Sequence, residues 1–337
     1  MPGRTGKYLV DHQIMVMKCY GERGTPMKMP MAELILLLLI LLFLPMSAFA
    51  EAGIASKYYK DRGIADDPAV VFSEDFEKSL STIFTNWNGQ STNVISHSSH
   101  IPTASGGSKS IRIKPIGISG TLYKPLNKSY DQLFFRYYVK FGGNGFHHTG
   151  GYIGGYDPLT NWPQGDAGLK GKRANGDRLF VIGFEERDGK YLDFYNNWID
   201  MPGSSWQSMY YGRSLLKTES IPLIPDQWYC VELMVEVNSA PDVRDGELAL
   251  WIDGKPIIHF RPGDPKGFWD RSGGWHTDTN SLPFKGFLWR DTLSYGINWI
   301  KIQNYDAKPD VWFDDLVVAT RYIGPINTRA RDEEEKK

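Results

Sequence analysis

The stretch that decides the fold of this chain is Leu133-Phe134-Phe135-Arg136-Tyr137-Tyr138-Val139-Lys140-Phe141, which runs into a glycine-rich segment, residues 142–158. Successive side chains of a β-strand point to opposite faces. Every second residue from Leu133 to Phe141 is apolar or aromatic, whereas Arg136, Tyr138 and Lys140 share the other face. This alternation predicts a long strand with one buried face.

Two histidines, His147 and His148, lie among the glycines that follow this strand. Glycine lets the backbone turn freely and leaves room for a large molecule to approach. Imidazole is the side chain best suited to moving protons near neutral pH. We therefore expect a site for an extended ligand at this strand end, although a surface or structural histidine is the ordinary alternative.

Strand-like segments separated by Gly, Pro, Asn and Asp continue from residue 69 to residue 325. Arg187-Asp188-Gly189-Lys190 and Asp253-Gly254-Lys255 are typical of hairpin turns. The sequence contains no amphipathic helix pattern longer than two turns outside the N-terminal region. Roughly a dozen strands without a helical layer predict one domain, built as a two-sheet sandwich or a barrel.

The N-terminal region has the pattern of a secretory signal peptide. Lys28 precedes an apolar run from Leu34 to Leu44, and Ala48-Phe49-Ala50 offers a cleavage site. The run is shorter than the roughly 20 residues that span a bilayer, although an uncleaved membrane anchor is the alternative. We expect residues 1–50 to be an extension plus signal peptide, 51–68 a linker, 69–325 the β-sandwich, and 326–337 a disordered charged tail. The mature protein would be secreted or periplasmic, without membrane contact.

Composition excludes some classes of function. Of the two cysteines, Cys19 lies in the segment to be removed, so Cys230 has no internal disulfide partner. A formal net charge of -1 argues against a general nucleic-acid surface. The 11 tryptophans and 18 tyrosines suit either sugar stacking or core packing. We expect a monomer.

Several segments resemble jelly-roll polysaccharide lyases of the alginate and glucuronan lyase type, families fourteen and twenty. They are the strand with its glycine-rich end, Trp228-Tyr229-Cys230-Val231-Glu232, Asp245-Gly246-Glu247-Leu248-Ala249-Leu250-Trp251-Ile252-Asp253-Gly254, and Phe313-Asp314-Asp315-Leu316-Val317-Val318. The resemblance covers about residues 69–325. It implies an all-β fold, a concanavalin A-like jelly-roll β-sandwich of two antiparallel sheets, with a groove across the concave sheet.

The same resemblance implies site residues. Aligning Gly154-Gly155 with the family's Gly-Gly pair places His148 where family fourteen has its catalytic lysine. The family's Tyr-x-Tyr corresponds to Tyr195-Asn196-Asn197, so one tyrosine is kept and the other is replaced by asparagine. His148 is therefore the expected base and Tyr195 the expected acid.

Cleavage of a polyuronate by β-elimination needs a neutralised carboxylate, a base and an acid. Arg136 is the predicted partner of the substrate carboxylate, with a solvent-facing charge as the alternative. Alternation places Tyr191, Asp193, Tyr195 and Asn197 on one face of a strand, either in a sugar groove or on a solvated surface. The expected substrate contacts are His147, Tyr138, Tyr191, Asn197 and Trp162.

Glu74, Asp75 and Asp315 are candidate ligands of a structural Ca²⁺, because carboxylates near the two chain ends would meet if the terminal strands pair. Exposed strand-edge acids are the alternative. The β-elimination chemistry itself requires no cofactor.

These patterns predict a secreted protein that binds an acidic polysaccharide and cleaves it by β-elimination. A non-catalytic, lectin-like carbohydrate-binding protein of the same fold is the alternative, and a structural surface protein is the third hypothesis. The sequence argues against a glycosidase, because the Glu-x-Asp-x-x-Glu pattern of concanavalin-like glucanases does not occur in it.

Overall fold

Antiparallel β-sheets make up nearly all of the regular structure of the described residues, of which 47% are in strands and 7% in helices. The structure is a computed structural model that describes residues 52–114, 119–145, 147–161, 171–174, 178–203, 209–305 and 309–329. The predicted signal peptide, Trp162 and the side chain of His147 lie outside the described residues. Within the described ranges, no helix is both long and apolar enough to cross a membrane.

The described strands form two large sheets and one small sheet. In spatial order, sheet A contains β13 (Lys255–Phe260), β12 (Glu247–Ile252), β11 (Trp228–Glu236), β6 (Gln132–Phe141), β18 (Val311–Ala319), β4 (Ser110–Ile113) and β3 (Ile95–Ser98), and β1 (Val70–Glu74) also pairs with β18. Sheet B contains β10 (Ile221–Pro222), β9 (Tyr191–Asn197), β8 (Leu179–Arg187), β7 (His147–Tyr156), β17 (Ile297–Tyr305), β5 (Gly120–Tyr130) and β2 (Asn88–Gln90). Sheet C contains β15 (Trp275–Thr277), β14 (Lys266–Trp269) and β16 (Leu282–Pro283).

The helices are short. The described residues contain one α-helix, α1 (Leu80–Asn86), capped by Ser79, whose side chain accepts a hydrogen bond from the backbone N–H of Thr82. The described 3-10 helices are Ile54–Lys57, Ile64–Asp66 and Thr92–Val94.

The core lies between sheets A and B, as the strand alternation predicts. Leu133, Phe135, Tyr137 and Val139 of β6 are buried in it, and Ile153, Ile182 and Phe194 enter from the strands of sheet B. The predicted hairpin at Asp253-Gly254 is confirmed, with φ of 53° and 74°. Positive φ at both central residues is the type I′ geometry that matches the twist of the flanking strands. The predicted jelly-roll β-sandwich is therefore confirmed.

The segment expected to be a linker is packed rather than solvated. Ile54, Ala55 and Ile64 are buried in a small cluster with Val317, Ala319 and Ile323. The expected tail begins later than residue 326, because Ile326 is buried and its N–H donates to Tyr138 Oη at 3.0 Å. The folded unit therefore begins before residue 69 and extends beyond residue 325.

Arg136 anchors this segment to sheet A and is not a solvent-facing charge. Its side chain is fully buried on the outer face of β6 and forms an ion pair with Asp61. It also donates to the carbonyl oxygens of Gly324 and Asp315, each at 3.1 Å. In the adjacent strand Glu232 accepts from Ile323 N at 2.7 Å and Gly324 N at 2.8 Å. Arg136 and Glu232 together hold both chain ends against the sheet.

We predict that Arg136→Met lowers the free energy of unfolding by about 3–5 kcal/mol, because Asp61 would remain buried without its cation. Urea denaturation at pH 7 measures the change. Arg112→Met is the matched control, since Arg112 pairs with Asp310 on the same sheet but is 36% exposed. Its loss should cost at most about 1 kcal/mol. Equal losses for the two variants would contradict the anchoring role of Arg136.

Candidate functional site

The candidate site lies on the outer face of sheet B. Leu192 and Phe194 of β9 point into the core, so the alternate residues Tyr191, Tyr195 and Asn197 point outward. Register aligns Tyr195 of β9, Gly183 of β8, Tyr152 of β7 and Lys301 of β17 in one row across the sheet. The row beside it contains Asp193, Glu185, Gly150 and Gln303.

Gly150 allows Glu185 to reach its partners. It lies directly opposite Glu185 in the ladder and has no side chain, so the carboxylate extends toward the residues two positions away in β7, His148 and Tyr152. A Cβ at residue 150 would clash with the carbonyl oxygen of Phe184, and φ there is +157°. Glycine is therefore required at this point of close strand approach.

His148 lies at the open end of this face. Its Nδ1 is 3.2 Å from Glu185 Oε1 and 3.4 Å from Oε2, and its side chain is 27% exposed. The backbone has a φ of 47°, which is uncommon outside glycine, and its carbonyl oxygen accepts from Gln303 Nε2 at 2.7 Å. The imidazole is thus anchored at Nδ1 and accessible from solvent.

Tyr195 contacts His148 directly. The two ring centroids are 4.4 Å apart with an interplanar angle of 69°. A Cβ at Gly212 would clash with the Tyr195 ring, so the backbone at Gly212 lies directly against the tyrosine. Burial, with the nearby Glu185 carboxylate as a further cause, raises the pKa of Tyr195 to about 12. The phenol therefore keeps its proton at neutral pH.

Glu185 also joins Tyr152 and Lys301 to the site. Tyr152 Oη donates to its carboxylate. Lys301 is 4% exposed, and its Nζ lies 4.2 Å from the centroid of the Tyr152 ring. Burial lowers the pKa of Lys301 to about 7, although Glu185 acts in the opposite direction. The face therefore contains a buried lysine that changes charge near neutral pH.

The structure brings together only part of the predicted site. His148 and Tyr195 meet, and Tyr191 and Asn197 lie on the same strand as Tyr195. Arg136 and Tyr138 do not join them, because β6 belongs to sheet A and both side chains face its outer side. The expected pairing of Arg136 with a substrate carboxylate in this groove is therefore wrong.

The glycines of β7 make room mainly for the protein itself. A Cβ at Gly151 would clash with Tyr137, one at Gly154 with Trp299, and one at Gly155 with Phe180. At Gly145, before the strand, a Cβ would meet no described heavy atom within 4 Å. The inference that these glycines admit a ligand is thus wrong for the body of β7.

The predicted calcium ligands do not form a metal site of their own. Glu74, Asp75 and Asp315 line one cavity of about 290 Å³. Glu74, however, accepts from Trp87 Nε1 at 3.1 Å and from Phe76 N at 3.2 Å. Among the described residues, no group of three or more His, Cys, Asp or Glu side chains is arranged to hold an ion. Calcium binding stays a prediction of the sequence.

Comparison with solved structures relates this fold to alginate lyases. The chain is similar to the crystal structure of the marine PL-14 alginate lyase from Aplysia kurodai, with a TM-score of 0.51 and 16% identity over 75% of this chain and 99% of that chain. The chain has the jelly-roll fold of that lyase. The resemblance to jelly-roll polysaccharide lyases that the sequence indicates is confirmed at the level of the fold.

Other similar structures have lower scores. Alginate lyase vAL-1 from Chlorella virus aligns with a TM-score of 0.48 and 11% identity over 75% of this chain and 100% of that chain. A mutant of alginate lyase Aly36B in complex with an alginate tetrasaccharide aligns with a TM-score of 0.46 and 13% identity, over 77% of this chain and 99% of that chain. No protein-family model and no curated protein matches the sequence.

Lys301 makes the stability of the protein depend on pH. Its pKa falls from 10.5 to about 7 on folding, so between these values the unfolded chain binds the extra proton. Its contribution to the free energy of unfolding should rise with pH across this window by up to about 1.4 kcal/mol per pH unit, opposed by the buried Asp314, whose pKa is raised on folding to about 10. In Lys301→Met the unfolding free energy should therefore rise less with pH than in the wild-type protein. Urea denaturation at pH 7, 8 and 9 measures this difference in slope. Lys255→Met, at an exposed lysine, should keep the slope; the same slope in Lys301→Met would contradict the assignment.

Proposed function

We propose that this protein binds an acidic polysaccharide over the outer face of sheet B and cleaves it by β-elimination. The observation that carries the proposal is the contact between His148 and Tyr195, with His148 Nδ1 held by Glu185. The fold shared with an alginate lyase supports the class of substrate.

In this proposal His148 and Tyr195 carry out the two proton transfers. The Glu185 carboxylate accepts a hydrogen bond from His148 Nδ1–H, so the neutral imidazole presents Nε2 as the proton acceptor. Nε2 removes the C5 proton of a uronate, and the released electron pair forms the C4–C5 double bond. The C4–O4 bond breaks, and Tyr195 Oη donates its proton to the leaving oxygen. One proton is taken and one is given, with no outside reactant.

Tyr195 suits the role of the acid. With a pKa of about 12, it is protonated before the reaction and can donate to an alkoxide, which is a stronger base. Because its ring touches that of His148, the base and the acid act from the same side of the sugar.

Lys301 takes the electrostatic role that Arg136 does not fill. The C5 proton becomes acidic only when the neighbouring carboxylate is neutralised. Lys301 lies on the outer face of sheet B near Glu185, and a substrate carboxylate would favour its charged form. Because its side chain is almost fully buried, Lys301 would act on the substrate carboxylate by electrostatic attraction from the floor of the groove and not by direct contact.

A non-catalytic carbohydrate-binding protein is the second candidate, because Arg136 lies on the other sheet. Tyr305 is 44% exposed and its ring lies 5.9 Å from that of His148, so aromatic surface is available for a sugar without any chemistry.

We predict that alginate or glucuronan incubated with the protein gives an unsaturated product, detected by ultraviolet absorbance. His148→Ala should abolish its formation, and Tyr195→Phe should slow it by about 10²-fold or more, the usual contribution of a general acid. His259→Ala is the matched control, because His259 pairs with Glu247 on sheet A in a similar His–Glu contact at 2.6 Å. It should retain full activity.

Two outcomes would reject the lyase mechanism. Binding of a polyuronate without any unsaturated product would favour the carbohydrate-binding alternative. Full turnover by His148→Ala, with its fold confirmed by circular dichroism, would remove His148 from the reaction.

A further inference from the structure

A second cavity, of about 380 Å³, lies between sheet C and the segment that follows β9. Ligand sites have volumes of about 300–1,000 Å³ and combine apolar walls with a few polar groups. The walls here are mainly apolar and the polar residues are few. The aromatic lining residues are Trp198, Phe268, Trp269, Trp275 and Phe284.

The aromatic rings contact one another and are partly open to solvent. Trp269 lies between two other indoles, with ring centroids 5.7 Å from Trp198 and 5.2 Å from Trp275. Phe268 is 47% exposed although it belongs to a regular strand, and its ring stacks on His276 at 5.3 Å. Exposed aromatic surface on a fixed framework is typical of an interaction site.

Two buried polar atoms of lining residues lack protein partners. Trp275 Nε1 is a donor and Asp200 Oδ1 is an acceptor, and neither has a hydrogen-bond partner in the described part of the chain. Leaving such atoms unsatisfied costs about 1–3 kcal/mol each. Both atoms have almost no solvent-accessible area, so a ligand in the cavity would lie near them without contacting them.

The charges around the cavity favour an acidic ligand. Arg244 forms an ion pair with Asp200, and the exposed Lys285 adds a second cation. These three lining residues therefore carry a net positive charge. A carboxylate bound here would find Lys285 as its partner.

We propose that this cavity is a second saccharide-binding site that holds one acidic sugar unit. A pyranose ring offers a flat apolar face to the partly exposed Trp269 and, in a uronate, a carboxylate to Lys285. The choice of a uronate rests on the proposed function. Trp198 follows β9 directly, about 10 Å along the chain from Tyr195, but its indole lies on the core side of the strand whereas Tyr195 points outward, so the cavity would hold the sugar unit apart from the groove.

Nuclear magnetic resonance of ¹⁵N-labelled protein tests the site directly. The indole N–H signal of Trp275, assigned with Trp275→Phe, should shift on titration with an alginate trisaccharide. Cellotriose, which is neutral, should cause a much smaller shift. His148→Ala should keep the response to the alginate trisaccharide, because the two sites are separate.

Matched variants test the contribution to binding. Lys285→Gln should weaken binding of an alginate polymer by about tenfold, and raise KM with little change in kcat if turnover occurs. Lys255→Gln, at an exposed lysine of sheet A, should leave binding unchanged. No shift of the Trp275 signal at millimolar trisaccharide, or equal losses in Lys285→Gln and Lys255→Gln, would overturn the proposal. A shift without any turnover would keep the second site and reject the lyase mechanism alone.

Discussion

The buried carboxylate of Glu185 organises the outer face of sheet B. A buried charge is tolerated only when hydrogen bonds and opposite charge compensate its desolvation. His148, Tyr152 and Lys301 supply that compensation from the two strands β7 and β17. The carboxylate in turn fixes the imidazole at Nδ1 and partly offsets the burial of Lys301. Removing it would therefore change the orientation of the histidine and the charge of the lysine together.

The glycines of β7 make this arrangement possible by their missing side chains. Gly150 leaves the space through which Glu185 reaches His148 and Tyr152, while Gly154 makes room for the indole of Trp299. Because β7 has no side chains at these positions, larger groups from neighbouring strands can lie over it. Glycine in a strand interior marks close approach. Here the approaching groups belong mainly to the protein.

Local periodicity predicts the strands, the hairpins and the side of the sheet on which Tyr195 lies, because these depend on residues close in sequence. It does not assign strands to sheets. β6 and β7 are consecutive, yet they belong to opposite sheets, so Arg136 and His148 face opposite sides of the molecule. Glu185 and Lys301 were missed because their importance depends on a register that spans more than 100 residues. The packed segment 52–67 was missed because its few apolar residues form no periodic pattern.

The outer faces of sheets A and B each contain a buried ionic network. The two networks differ in whether the charged side chains bind backbone groups or other side chains. On sheet A, Arg136 and Glu232 bind mostly backbone groups of the chain ends, including the carbonyl of Gly324 and the N–H of Ile323. Backbone partners cannot be exchanged for a ligand without unfolding the segment. On sheet B, Glu185 binds side chains, and one of them, His148, reaches solvent. A charge held by side chains at an open edge can respond to a ligand, whereas a charge held by backbone can only hold the fold together.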